Sequence, residues 1–210
     1  KAFATQLIAM YLIGLEIGRK LRKLSNNEIK EITEQLTQLP AKVEQILETV
    51  EPLRELTRKF KSAESVLFLG RHVGYPTALE GALKLKELAY IHAEGFAGGE
   101  LKHGSIALID EAKGTPVIAI LPSGSDHSLD EKMLSNIQEV KARGARVVVI
   151  APEGAEVIGA EHIIRIPVAS PLFQPVLATV PLQVFAYEIA VARGTDVDQP
   201  RNLAKSVTVE

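Results

Sequence analysis

The stretch SVLFLGRHVGYPTALEGALKLKELAY, residues 65–90, reads as a strand, a turn and a helix in direct succession. SVLFLG is short and almost wholly apolar, while Gly70 and Pro76 bracket the turn. Proline suits the first turn of a helix because its missing N–H would have no partner there. From 76 to 90, Leu79, Ala82, Leu83, Leu85, Leu88 and Ala89 recur at helical spacing. Three further runs share the texture of the first: PVIAIL (116–121), RVVVIA (146–151) and HIIRIP (162–167). Rich in β-branched residues and lacking polar alternation, they have the mark of strands covered on both faces. Helical segments separate or follow them, over 130–143 before Gly144 and over 176–193 before Gly194, glycines placed to end a helix. The expected fold is α/β, a three-layer αβα sandwich around a mostly parallel sheet.

Helices precede this unit. KAFATQLIAMYLIGLEIGRKL is helical in pattern from its start, and 27–61 stays helical, with interruptions expected at Pro40 and Pro52 and a cap at Ser25 or Asn26. Laid over residues 179–194, the first helix matches Thr5 with Thr179, Ile8 with Leu182, Tyr11 with Phe185 and Arg19 with Arg193, the pattern of the last helix of an earlier copy of the same domain.

The 210 residues, 46% apolar and 24% charged, suffice for a real core, and the formal net charge of −2 with no long basic run argues against a nucleic-acid footprint. Small molecules are the expected partners. The chain has no cysteine, so disulfides, thiolate metal sites and a cysteine nucleophile are excluded within it, in keeping with a reducing, cytoplasmic setting. The two most apolar stretches, 7–17 and 171–192, carry glutamates or prolines, so no membrane partner is expected.

Reactive side chains concentrate in EGALKLKELAYIHAEGFAGGELKHG, residues 80–104. Glu80, Lys84 and Glu87 stand at i, i+4 and i+7 and project from one helix face. The same spacing would serve a solvated ladder of ion pairs. His92 and His103 follow in a segment whose glycines, at 95, 98, 99 and 104, allow sharp turns and close approach to a ligand. In parallel sheets ligands gather beyond the carboxyl ends of the strands, here the loops at 70–76 and 122–128 and the 95–104 region. GRHVGYP (70–76) offers Arg71, His72 and Tyr75; PSGSDHS (122–128) has three hydroxyls ahead of a helix and is the better anion candidate.

EGALKLKE, then GELKHG, then DVDQPRNLAKSVTVE at the C-terminus resemble the isomerase half of the glucosamine-6-phosphate synthase (glutamine:fructose-6-phosphate aminotransferase) family, over essentially the whole chain. The resemblance implies two tandem sugar isomerase (SIS) domains of flavodoxin-like type. Residues 1–24 would be the final helix of an incomplete first domain, 25–62 a helical connector, 63–200 the second SIS domain and 201–210 an active-site tail. It further implies conversion of fructose 6-phosphate and glutamine-derived ammonia to glucosamine 6-phosphate, with no metal or organic cofactor. Glu87 would move the proton between C1 and C2, and His103, supplied to the neighbouring subunit of a homodimer, would assist ring opening. Lys205, with Ala204 beside it, would engage the open-chain carbonyl, and Lys84 would assist nearby. Partners would be the sugar phosphates, a second copy and the glutaminase domain of the complete protein. Ser105 stands where the family has proline, a change expected to leave His103 in place. The first domain's phosphate loops and the glutaminase domain are not in these residues, so the part alone is expected to be inactive. The competing reading is a non-catalytic SIS module for sugar-phosphate binding or dimerisation.

Overall fold

A computed structural model describes residues 2–121 and 127–203. Five strands, β1 (Ser65–Gly70), β2 (His92–Ala97), β3 (Pro116–Ile120), β4 (Arg146–Pro152) and β5 (His162–Ile166), form one sheet in the order β2-β1-β3-β4-β5. Every neighbouring pair is parallel. Helices α1 (Ala2–Lys20), α2 (Asn26–Glu48) and α3 (Glu51–Phe60) precede the sheet, while α4 (Gly74–Ala89), α5 (His127–Lys141) and α6 (Gln174–Arg193) alternate with or follow its strands.

Side chains of a strand alternate between faces, so each strand splits its residues between two cores. Val66, Phe68, Ile118, Ile120, Val148 and Ile150 join Leu53, Leu56, Leu85, Leu182 and Phe185 under α3, α4 and α6. Leu67, Leu69, Val117, Ala119, Val147 and Val149 join Met133, Ile137 and Val140 under α5. Both faces are covered, giving the three-layer arrangement expected, and this is why the central strands are uniformly apolar. α6 is long and apolar enough to cross a membrane by length and composition, yet 61% of its most apolar window is buried within the protein. Its apolarity is that of a core helix.

Two details differ from the sequence reading. Strand β2 lies in a segment read as a glycine-rich loop; it is an edge strand paired only with β1, and HAEGFA carries neither β-branched residues nor alternation. Pro40 does not interrupt α2, which runs unbroken through it, anchored by buried Leu39 and Ile46. One lost hydrogen bond is tolerated where the apolar face on either side stays packed. Pro52 does mark a break, sitting in the first turn of α3. At the start of α2, Ser25 caps as expected: its hydroxyl accepts from the Glu28 N–H (3.3 Å) and the Glu28 carboxylate accepts from the Ser25 N–H (2.7 Å).

Candidate functional site

The turn from β1 into α4 is tight enough to demand glycine, since a Cβ on Gly70 would lie 2.1 Å from the Gly74 carbonyl oxygen. α4 then buries Ala78, Ala82, Leu85 and Ala89, and Gly81 lets Leu182 and Phe68 approach its backbone. The opposite face carries Glu80, Lys84 and Glu87. Lys84 Nζ lies 2.5 Å from Glu87 Oε2 and 3.8 Å from Glu80 Oε1. With side chains 11% (Glu80), 27% (Lys84) and 28% (Glu87) exposed, this is a half-buried triad rather than a solvated ladder. Burial pushes the Glu80 carboxyl above the usual range and the Glu87 charge adds to the rise, while Lys84 opposes it.

Glu87 borders a cleft of about 400 Å³, together with Tyr90, His92 and residues 201–203 of the tail. Three contacts bring the tail there. Thr195 Oγ1 donates to the Leu88 carbonyl (2.7 Å), folding the chain leaving α6 back onto the end of α4. Asp196 then accepts from the N–H groups of Asp198 and Gln199, both at 2.9 Å, forming a turn. Finally the Arg201 N–H donates to the Tyr90 hydroxyl (2.7 Å) and its guanidinium lies 4.1 Å from the centre of that ring. Tyr90 closes α4 in the left-handed conformation, φ 55°, which turns its ring toward the tail. Ala204 and Lys205 lie outside the described residues; the described tail ends at Leu203 in the same cleft as Glu87.

The two histidines are not brought together. His92, at the start of β2, is exposed and lies 3.3 Å from Glu94, an ordinary surface pair. His103 is the exposed last residue of a 3₁₀ segment, Gly98–His103, at the far end of the same strand, anchored through buried Leu101. Ser105 opens the next 3₁₀ turn, Ser105–Leu108, after Gly104 at φ 138°. At about 3.3 Å per residue, β2 holds the Glu87 end and the His103 end roughly 17 Å apart. Glu87 and the tail therefore stand toward the amino end of the edge strand, away from the loops beyond the carboxyl ends. Two of the glycines also let elements of the protein approach one another. A Cβ on Gly95 would meet the Leu79 backbone nitrogen at 2.9 Å, and one on Gly98 the Asn136 Oδ1 at 2.6 Å, so these positions approach the protein itself.

Of the loop 122–128, residues 122–126 lie outside the described residues. A larger cavity, about 440 Å³, opens below the amino ends of β1, β3 and β4, but its principal charges are paired, Lys113 with Glu64 and Arg146 with Glu161, each at 2.8 Å. Among the described residues no three His, Asp or Glu side chains gather as a metal site. Tyr90, Arg201 and Thr195 escaped the sequence reading; their one signal was the polar tail itself, with no indication of where it docks.

Residues 59–193 match the SIS domain model, and the chain belongs to the SIS-domain family. Within that family it is 57% identical over 213 residues to the glutamine–fructose-6-phosphate aminotransferase (isomerizing) of Streptomyces coelicolor, and 58% identical over 215 residues to that of Corynebacterium diphtheriae. Both alignments cover 100% of this chain but 34% of the relative, so the chain spans about a third of their length. The C-terminal domain of the Francisella tularensis glucosamine-fructose-6-phosphate aminotransferase superposes with a TM-score of 0.87 at 37% identity, over 95% of this chain and 55% of that one. The sugar isomerase domain of an RpiR transcription factor from Sphaerobacter thermophilus shares the fold, TM-score 0.62, at 16% identity, covering 77% of this chain and 90% of that one. The fold alone thus accommodates catalysts and regulators alike.

Proposed function

We propose that the chain is the isomerase part of an enzyme that converts fructose 6-phosphate and glutamine-derived ammonia to glucosamine 6-phosphate. The observation that carries this is the half-buried Lys84–Glu87 pair opening onto the cleft into which the C-terminal tail is led. Isomerisation of the C2 imine requires a base that removes a proton from C1 and returns it to C2. The imine nitrogen gains a proton, the C1 hydroxyl loses one, and an enolamine lies between. Glu87 is the residue for both transfers. Lys84, 2.5 Å from it, pairs with its carboxylate and offers a positive charge to the oxygen where negative charge develops. Lys205, two residues beyond the described tail and next to Ala204, engages the open-chain carbonyl. No metal or organic cofactor is needed for these steps.

His103 in this role acts on the substrate of a second copy, since β2 separates it from Glu87 within one chain; the working unit is a homodimer. Residues 1–24 close a preceding SIS domain, 25–62 connect, 63–200 form the second SIS domain and 201–210 complete the site. α1 buries none of its residues and exposes Met10, Ile13 and Ile17, which fits a helix shared with a neighbouring domain. That domain and a glutaminase domain belong to the complete protein, a cytoplasmic enzyme. The test is Glu87→Gln in the complete protein. Fructose 6-phosphate binding is retained while exchange of solvent protons into the sugar falls at least about a hundredfold. Exchange at the wild-type rate removes Glu87 from the role.

A further inference from the structure

A second site stands at the other end of the sheet. A crevice of about 210 Å³ opens between the segment after β2 and the flank of α5, floored by Gly98 and lined by Arg71, Lys102, Lys132, Ser135, Asn136 and Glu139. Arg71 is the first residue after β1, so the crevice lies beyond the carboxyl ends of β1 and β2, beside the point where the strand order reverses. Glu87 and the tail lie at the opposite end of β2.

The polar groups are organised around the arginine. Asn136 is 4% exposed, and its Oδ1 accepts from Arg71 Nε at 2.9 Å. A buried amide thus fixes the plane of a guanidinium whose two terminal nitrogens make no hydrogen bond to any described residue. Glu139 accepts from Asn136 Nδ2 at 3.5 Å and is neutralised by Lys102 Nζ at 2.8 Å. Lys132 has no ion-pair partner among the described residues, and the Ser135 hydroxyl is exposed beside it. Gly98 must be glycine, because a Cβ there would strike Asn136 Oδ1 at 2.6 Å and Arg71 Nε at 3.1 Å, closing the floor. Three cations against one carboxylate, with an oriented guanidinium fork free on one edge, suit a planar pair of acceptor oxygens on a dianion.

We propose that this crevice binds a phosphate-class oxyanion, free or as a monoester, through Arg71, Lys132 and Ser135. The site is independent of Glu87 and of the isomerase reading. Calorimetric titration of the chain with orthophosphate tests it. Saturable binding with a Kd of about 1 mM or tighter is expected, weakened at least about tenfold, roughly 1.4 kcal/mol, by Arg71→Gln and by Lys132→Gln. Lys132 is an exposed helix residue whose replacement leaves the fold unaffected, so the test survives should Arg71→Gln disturb its neighbours. Absence of saturation in the millimolar range, or unchanged affinity in either folded variant, overturns the proposal. Fructose 6-phosphate binding more tightly than orthophosphate, and weakened by the same two substitutions, assigns a monoester ligand; the reverse order assigns the free ion.

Discussion

Gly95→Ala places a single methyl group where β2 meets α4. Gly95 pairs with Phe68 of β1, and a Cβ added to it would lie 2.9 Å from the Leu79 backbone nitrogen and 3.0 Å from its Cα. Ordinary contact begins near 3.4 Å, so α4 must retreat by about half an ångström, and it is backbone that must move rather than the end of a flexible side chain. That retreat loosens Gly81 from Leu182 and Phe68 and disturbs buried Leu85. Overpacking of this kind costs about 1–3 kcal/mol, and alanine's smaller unfolded-state entropy returns about 0.5–1 kcal/mol, leaving about 1 kcal/mol of destabilisation at the middle of those ranges. For a chain of this size the melting temperature falls by roughly 2–5 °C. Urea unfolding followed by circular dichroism measures it, with Gly99→Ala as the matched control. A Cβ on Gly99 meets nothing nearer than Arg71 Nη1 at 3.7 Å, so its effect stays within about 0.5 kcal/mol. A Gly95→Ala midpoint equal to or above wild type would refute the packing argument.

Two further outcomes follow from the triad and the tail. The Glu80 carboxyl titrates above its unfolded value, so its contribution to stability is fully present below the unfolded pKa, about 4.3, and is lost as pH rises through the folded one. The stability of wild type relative to Glu80→Gln therefore falls as pH rises above about 4; a difference that is flat or rises with pH contradicts the burial argument. Tyr90→Phe removes the acceptor of the Arg201 N–H while keeping the ring under its guanidinium. Hydrogen exchange at the Arg201 amide should accelerate about fivefold, for about 1 kcal/mol, with the rest of the exchange pattern unchanged. An unaltered Arg201 rate would show that the tail is held by other contacts.

Much of the architecture was legible because burial on two faces leaves a local trace. β1, β3, β4 and β5 are apolar runs, and α4 shows its buried and polar faces in its spacing. β2 left no such trace, since an edge strand pressed against α4 needs a glycine at the contact and tolerates Glu94 beside it. Pro40 misled for the converse reason: its local penalty is real, but α2 is held by Leu39 and Ile46 against a core that sequence spacing does not weigh.

By itself the sequence determined the three-layer fold, the Glu80, Lys84 and Glu87 face, and the motifs that resemble a sugar isomerase, all of them properties of residues within a few turns of one another. Tertiary structure decided which of those residues can meet. Glu87 and His103 are sixteen positions apart in sequence yet occupy opposite ends of a strand, whereas Thr195 and Leu88, 107 positions apart, share a hydrogen bond. Helical and strand periods specify which side a residue faces, but its neighbours across elements depend on sheet register and on the path of a returning tail. Those are settled by burial summed over the whole core.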